Sequence, residues 1–393
     1  SGINDWTANV DLEFLPNDKH DIRLGGGYIF HTFKPEAHGS TELETLQGDT
    51  LSNRRSDYFS ENIVGHETSL YAEDEITLSE KWKTNLGVHF STFSTEGKTY
   101  WSLQPRISLG YEVNRKLSFK TSYSEMSQYI HLLESSNLRQ PTDLWVPVTP
   151  KLPPMFSRQV TLGSFYDTRK GYNFSMEGFY KNMNKLLEYK DGSSWVTATI
   201  PWYEQVESGK GRVYGIEFFA QKNQGKLTGW VGYTLAWNDR KFPTINGGKR
   251  FPAKYDHRHN VKINTTYKLS EKIDFSAAWT FSSGNTYTLA LEKYPAFLEE
   301  SFDLYDNGWI EKYEGRNNFR IPPTHHLDLS MNYYRKKNAK GRQSIWNFTI
   351  FNVYNQVCPY YIYPRYDEEK QRNVVVQVSL LPVLPSFSYT YKF

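Results

Sequence analysis

The sequence predicts an all-β fold: a transmembrane antiparallel β-barrel of which about 15 strands are visible. Three observations point there. Hydrophobicity alternates with a period of two, each alternating stretch persists for about 10–13 residues, and the connections switch between short and long. A soluble sandwich also alternates, but its strands usually run about 5–6 residues, whereas about 10 tilted residues cross a bilayer.

Composition separates this from a soluble chain only through its aromatics. The 393 residues carry a formal net charge of +3, and 23% are charged. Mean hydropathy is −0.66. Yet there are 29 Tyr, 24 Phe and 11 Trp, the surplus expected where rings sit at membrane–water interfaces. No apolar run approaches the roughly 18–20 residues of a membrane helix. The near-neutral charge gives no basis for nucleic-acid binding. Cys358 is the only cysteine, which excludes an internal disulfide framework and a cysteine metal site. Ser1-Gly2-Ile3-Asn4-Asp5 shows neither an initiator Met nor a signal peptide, so a mature chain or one cut from a longer protein is expected.

Strands are predicted with centres near residues 10, 27, 71, 88, 106, 123, 162, 178, 216, 232, 263, 277, 329, 348 and 385. Leu117, Phe119, Thr121 and Tyr123 oppose Ser118, Lys120, Ser122 and Ser124. Val261, Ile263, Thr265 and Tyr267 oppose Lys262, Asn264, Thr266 and Lys268. Ile273, Phe275, Ala277, Trp279 and Phe281 oppose Asp274, Ser276, Ala278 and Thr280. Leu327, Leu329 and Met331 oppose Asp328, Ser330 and Asn332; Trp346, Phe348 and Ile350 oppose Asn347 and Thr349. Phe387, Tyr389, Tyr391 and Phe393 share the last face, and a bend is expected at Pro382 and Pro385.

Short polar turns fall at Pro16–His20, Ser79–Lys81, Asn114–Lys116, Arg169–Gly171, Asn223–Lys226, Ser270–Lys272 and Lys336–Arg342. Between them lie long connections at Lys34–Gly65, Tyr129–Phe156, Asn184–Ser208, Asn238–Asp256, Ser283–Pro323 and Asn355–Asn373, with Thr95–Thr99 the one brief exception. Outer-membrane barrels have short periplasmic turns and longer extracellular loops, so the C-terminus is expected on the periplasmic side. The strand count is odd, and an open sheet would leave unpaired edges in lipid. Residues 1–393 therefore read as one barrel domain, with further strands expected before Ser1.

Chemistry-bearing motifs are sparse. His66-Glu67 lacks a second His four residues on, and no Gly-x-Ser-x-Gly elbow occurs. Gly209-Lys-Gly211 lacks the third glycine of a dinucleotide loop and reads as a turn. His325 and His326 are adjacent in a strand, so they point to opposite faces and do not easily share a metal. His257 and His259 share a face, but read as structural. Cys358 reads as a plain loop thiol. The expectation is no enzyme, no metal and no cofactor. The long loops hold large aromatics: Trp145, Trp195, Trp202, Tyr203, Trp309 and Tyr313, with Tyr129 and His131 at a strand exit. Such rings supply contact energy at binding sites; the alternative is that they pack the loops together or form a girdle.

Several stretches resemble one family, the TonB-dependent outer-membrane receptors in their Bacteroidetes style. They are Leu70-Tyr-Ala-Glu-Asp74, Gly178-Phe-Tyr-Lys181, Gly211-Arg-Val-Tyr-Gly-Ile-Glu217, Gly225-Lys-Leu-Thr-Gly-Trp230, Gly232-Tyr-Thr-Leu-Ala236, Tyr255-Asp-His-Arg-His-Asn260, Phe281-Ser-Ser-Gly284, Ile321-Pro-Pro-Thr-His-His-Leu-Asp328, Phe351-Asn-Val-Tyr-Asn355 and Tyr389-Thr-Tyr-Lys-Phe393. The resemblance implies the last part of a 22-stranded barrel, with the N-terminal plug absent from this chain. It implies active import of a scarce or bulky nutrient bound by outer loops and plug, with the TonB complex as energising partner and outer-membrane lipid as surroundings. A surface lipoprotein lid is a further expected partner. Phe387, Tyr389, Tyr391 and Phe393 resemble the signal read by the barrel-assembly machinery. Rival readings are a passive 16-stranded porin, a structural or secretion-associated barrel, and a membrane hydrolase.

Overall fold

The computed structural model describes residues 2–34, 36–40, 55–59, 62–133, 144–191, 202–289, 292–295, 309–336, 341–367, 369–370 and 372–393. Fifteen strands follow one another in a single antiparallel path: β1 (Gly2–Asn17), β2 (His20–Lys34), β3 (Ile63–Thr77), β4 (Trp82–Thr95), β5 (Lys98–Glu112), β6 (Leu117–Gln128), β7 (Met155–Asp167), β8 (Tyr172–Tyr189), β9 (Val206–Lys222), β10 (Leu227–Lys241), β11 (His259–Lys268), β12 (Ile273–Ser282), β13 (Thr324–Tyr334), β14 (Gln343–Phe351) and β15 (Leu384–Lys392). Every strand centre read from the sequence falls in its own strand. The two-residue strand Phe251–Pro252 adds a sixteenth member against the tip of β10. Among the described residues, β1 and β15 are the two ends of the path.

Register, not local propensity alone, makes the sheet two-faced. Antiparallel partners share a face, so rows run across the strands. One row joins Leu117, Tyr166, Phe174, Ala220, Val231, Ile263, Trp279 and Leu327. A row on the opposite face joins Glu177, Glu217, Thr234, Asn260, Ser282 and Thr324. A slip of one residue anywhere would exchange the two faces for that strand. The apolar face carries two aromatic bands. Trp82 and Tyr111 lie 4.4 Å apart near the short turns; Tyr214 and Trp237 stack at 5.4 Å near the long loops. From Trp101 to Tyr111 along β5 is roughly 33 Å of strand, or about 25 Å of height at a tilt near 40°, the apolar belt of a membrane barrel.

Among the described connections the short turns gather at one end of the sheet, here the turn end, and the long ones at the other, the loop end, where the two-residue turn Glu96-Gly97 is the exception. Pairing reaches further at the loop end than the sequence suggests. β8 and β9 remain paired to Tyr189↔Val206, inside the expected connection Asn184–Ser208. The Gly209-Lys-Gly211 stretch, read from the sequence as a turn, is therefore strand. The glycine there leaves room, since a Cβ at Gly209 would collide with the Phe242 ring. Pro385 sits opposite Ile350 as the second residue of the edge strand β15, where a missing N–H is tolerated.

Candidate functional site

The loop end folds back over the polar face. After β6, Ile130–Leu133 pairs with Leu144–Pro147 as a small hairpin. Tyr129 anchors it: its ring stacks at 5.3 Å on Phe93 of β4, and its hydroxyl lies 2.8 Å from the Ser91 hydroxyl, which accepts from Gln104 Nε2. Phe33 and Phe93 lie on the polar-face parity of β2 and β4, so the hairpin packs against that face. Around it gather Leu133, Val146, Val148, Leu187, Tyr189 and Trp202. Each such side chain buried contributes on the order of 1.5–3 kcal/mol, enough to hold a short hairpin that could not stand alone.

Of the residues singled out from the sequence, Tyr129, His131 and Trp202 are buried in or beside this cluster, and Tyr203 packs against it. The Tyr203 ring lies under Lys151 Nζ at 4.2 Å. Trp145, on the same hairpin, is 42% exposed, and Tyr313 lies elsewhere and is exposed. Trp195 and the side chain of Trp309 fall outside the described residues. His131 is 4% exposed and its Nε2 has no hydrogen-bond partner. Burial therefore pushes its pKa down to about 4, leaving a neutral imidazole at pH 7.

Two charged groups hold the rest of the loop end. In β8, Lys185 (φ 61°) is an extra residue between Asn184 and Leu186. This bulge turns Leu186 and Glu188 onto the polar face. There Glu188 accepts from Arg240 at 2.6 Å and from Arg316 at 3.0 Å. Beside them Leu186 packs with Phe242, Ile245 and Phe251. In the second group, Asp256 is 1% exposed and takes Arg258 at 2.9 Å and Arg320 at 2.6 Å, while accepting the Asn238 backbone N–H at 2.8 Å. Asp256 was visible in the Tyr255–Asn260 stretch; Arg240 and Arg316 carried no periodic signal.

The histidines do not converge. His257 Nδ1 lies 2.6 Å from the Ser283 carbonyl and His259 Nδ1 2.9 Å from the Tyr233 hydroxyl. His325 sits opposite Phe281 on the apolar face and His326 opposite Thr280 on the other. Among the described residues no group of three or more His, Cys, Asp or Glu could hold a metal ion. What the loop end offers is a polar, hydrogen-bonding wall beneath a braced rim with exposed aromatics, a surface suited to binding.

The model of the TonB dependent receptor-like β-barrel family matches residues 2–355. Solved structures agree on the fold. The FrpB iron transporter of Neisseria meningitidis (F5-1 variant) superposes with a TM-score of 0.65 at 13% identity, over 99% of this chain and 56% of its own. The siderophore receptor PiuA of Acinetobacter baumannii gives 0.63 at 13%, over 99% and 56%. The ferripyoverdine receptor of the outer membrane of Pseudomonas aeruginosa gives 0.59 at 13%, over 98% and 48%. The chain thus spans about half the length of these receptors. The family match over residues 2–355, on a sheet with one apolar and one polar face, shows that the chain belongs to the TonB-dependent receptor β-barrel family.

Proposed function

We propose that this chain supplies the C-terminal strands of an outer-membrane TonB-dependent importer, in the Bacteroidetes style, for a scarce or bulky nutrient. The observation that carries the reading is the two-faced fifteen-strand sheet, whose edge strands are unjoined among the described residues. In lipid each unpaired backbone group costs several kcal/mol, so β1 and β15 require further strands to close the wall. A plug inside that wall would face Glu177, Glu217 and their polar row. The long loops face outward in this reading, and the turn end with the C-terminus faces the periplasm. Trp145, Tyr203 and Tyr313 are then candidate ligand contacts, while Tyr129, His131 and Trp202 hold the rim in place. The protein makes and breaks no bond; its work is differential affinity for ligand between plug states.

Ferric siderophore complexes are the cargo class to try first, since solved relatives are described as siderophore and iron-complex receptors. Whole cells carrying the intact receptor should take up its cargo, and deletion of TonB should abolish uptake. Liposomes containing the intact protein should not swell in sugar solutions. Free sugar flux, or uptake indifferent to TonB, would instead support the passive porin.

A further inference from the structure

We propose that the turn end of β7–β10 holds one anionic phospholipid, its phosphate on the cations of two neighbouring turns and an acyl chain in an apolar hollow above them. The proposal rests on the reading of the apolar face as lipid-facing.

Large side chains fill most of that face, but Ala220 lies between Phe174 of β8 and Val231 of β10. The gap is a hollow of about 320 Å³ walled by Tyr166, Phe174, Met176, Phe218, Val231 and Tyr233. Lys222 is two residues beyond Ala220, on the same face and opposite Tyr172. Its Nζ stands 5.8 Å from the centre of the Tyr172 ring. An ammonium on an apolar stem, beside a girdle aromatic, is placed where headgroups begin. The turns on either side add Arg169 and Lys170, and Lys226.

Charge pairing distinguishes these cations from those at the other end. Arg212, Arg240, Arg258, Arg316 and Arg320, at the loop end, each meet a carboxylate within 3.0 Å. Among the described residues Arg169, Lys170, Lys222 and Lys226 form no ion pair; the guanidinium of Arg169 donates only to the Arg115 carbonyl at 3.3 Å. Four cations without carboxylate partners, on the two turns and the strand end next to an apolar hollow, complement a lipid phosphate and its chain. Each is expected to favour an anionic over a zwitterionic surface by roughly five-fold.

The test uses the intact receptor and native mass spectrometry with dioleoylphosphatidylglycerol or dioleoylphosphatidylcholine added at equal concentration. One phosphatidylglycerol should be retained at least about five-fold better than phosphatidylcholine. Lys170→Gln with Lys222→Gln should lower that preference several-fold. Ala220→Phe, which fills the hollow, should lower retention of both lipids. Equal retention of the two lipids by the unaltered protein, or an undiminished preference in the double variant, overturns the proposal. A nitroxide at Met176→Cys, in a Cys358→Ser background in phosphatidylcholine vesicles, separates this from failure of the membrane reading. Collision with oxygen rather than with a water-soluble nickel complex shows that the face meets lipid. A water-like label sinks the membrane reading and the site with it; a lipid-like label without headgroup preference sinks the site alone.

Discussion

At the scale of single residues the loop end depends on buried charges that face one another. Asp256 is the strongest case, since two guanidinium groups and a backbone N–H converge on one carboxylate with almost no solvent. Removing Asp256 takes the shared acceptor from two guanidinium groups that are about a third exposed and from the Asn238 N–H, which costs about 1–3 kcal/mol. Asp256→Ala should therefore release the Phe319–Arg320 strand and speed proteolytic cleavage of the segment beyond Ser282. Asp256→Asn, which keeps an acceptor for Asn238, should lie between. Cleavage at the wild-type rate in Asp256→Ala would show that these contacts carry no stability. Asp256 could be found in the sequence because it sits at a strand opening. Arg320 could not be tied to it, being 64 residues away in an irregular connection; nothing in a local pattern encodes such a pairing.

At the scale of elements, legibility follows periodicity. The strands were readable because each repeats the same two-residue instruction many times over. The Lys185 bulge was not: one extra residue reverses the parity of Leu186 and Glu188, and only the partners across the sheet reveal it. The Ile130–Leu133 hairpin was likewise hidden, because it is held by the Phe93 and Phe33 rings rather than by its own pattern. That packing makes it pH-sensitive. His131 binds a proton near pH 6.5 when free but near 4 when buried. The folded hairpin then holds fewer protons than the unfolded one, so its stability falls as pH drops from about 6.5 towards 4 and returns as pH rises. The full loss is on the order of 3 kcal/mol. Amide exchange over Ile130–Leu133, corrected for intrinsic rates, should show at least ten-fold less protection at pH 5.0 than at pH 7.5. His131→Leu should flatten that ratio. The same ratio in both proteins would mean that another group governs the hairpin.

At the scale of the whole molecule, the sheet's two faces set where it can live, and its last strand carries a proposed assembly signal. Phe387, Tyr389, Tyr391 and Phe393 lie on the apolar face, with Phe393 96% exposed. The Tyr391 and Phe393 rings are 6.3 Å apart, and Phe387 and Tyr389 pack on Trp346. We propose that two roles overlap there: a lipid-facing girdle, and a signal for barrel assembly. Girdle residues are interchangeable in kind, so Phe14→Ala, which removes an exposed ring of the same face from β1, measures the girdle contribution alone. A terminal signal depends on position. Deleting Phe393 should lower the amount of heat-modifiable protein in the outer membrane several-fold, whereas Phe14→Ala should leave it near normal. Equal levels for the two variants would reduce the terminal aromatics to girdle residues, and unchanged levels for the deletion would remove the signal altogether.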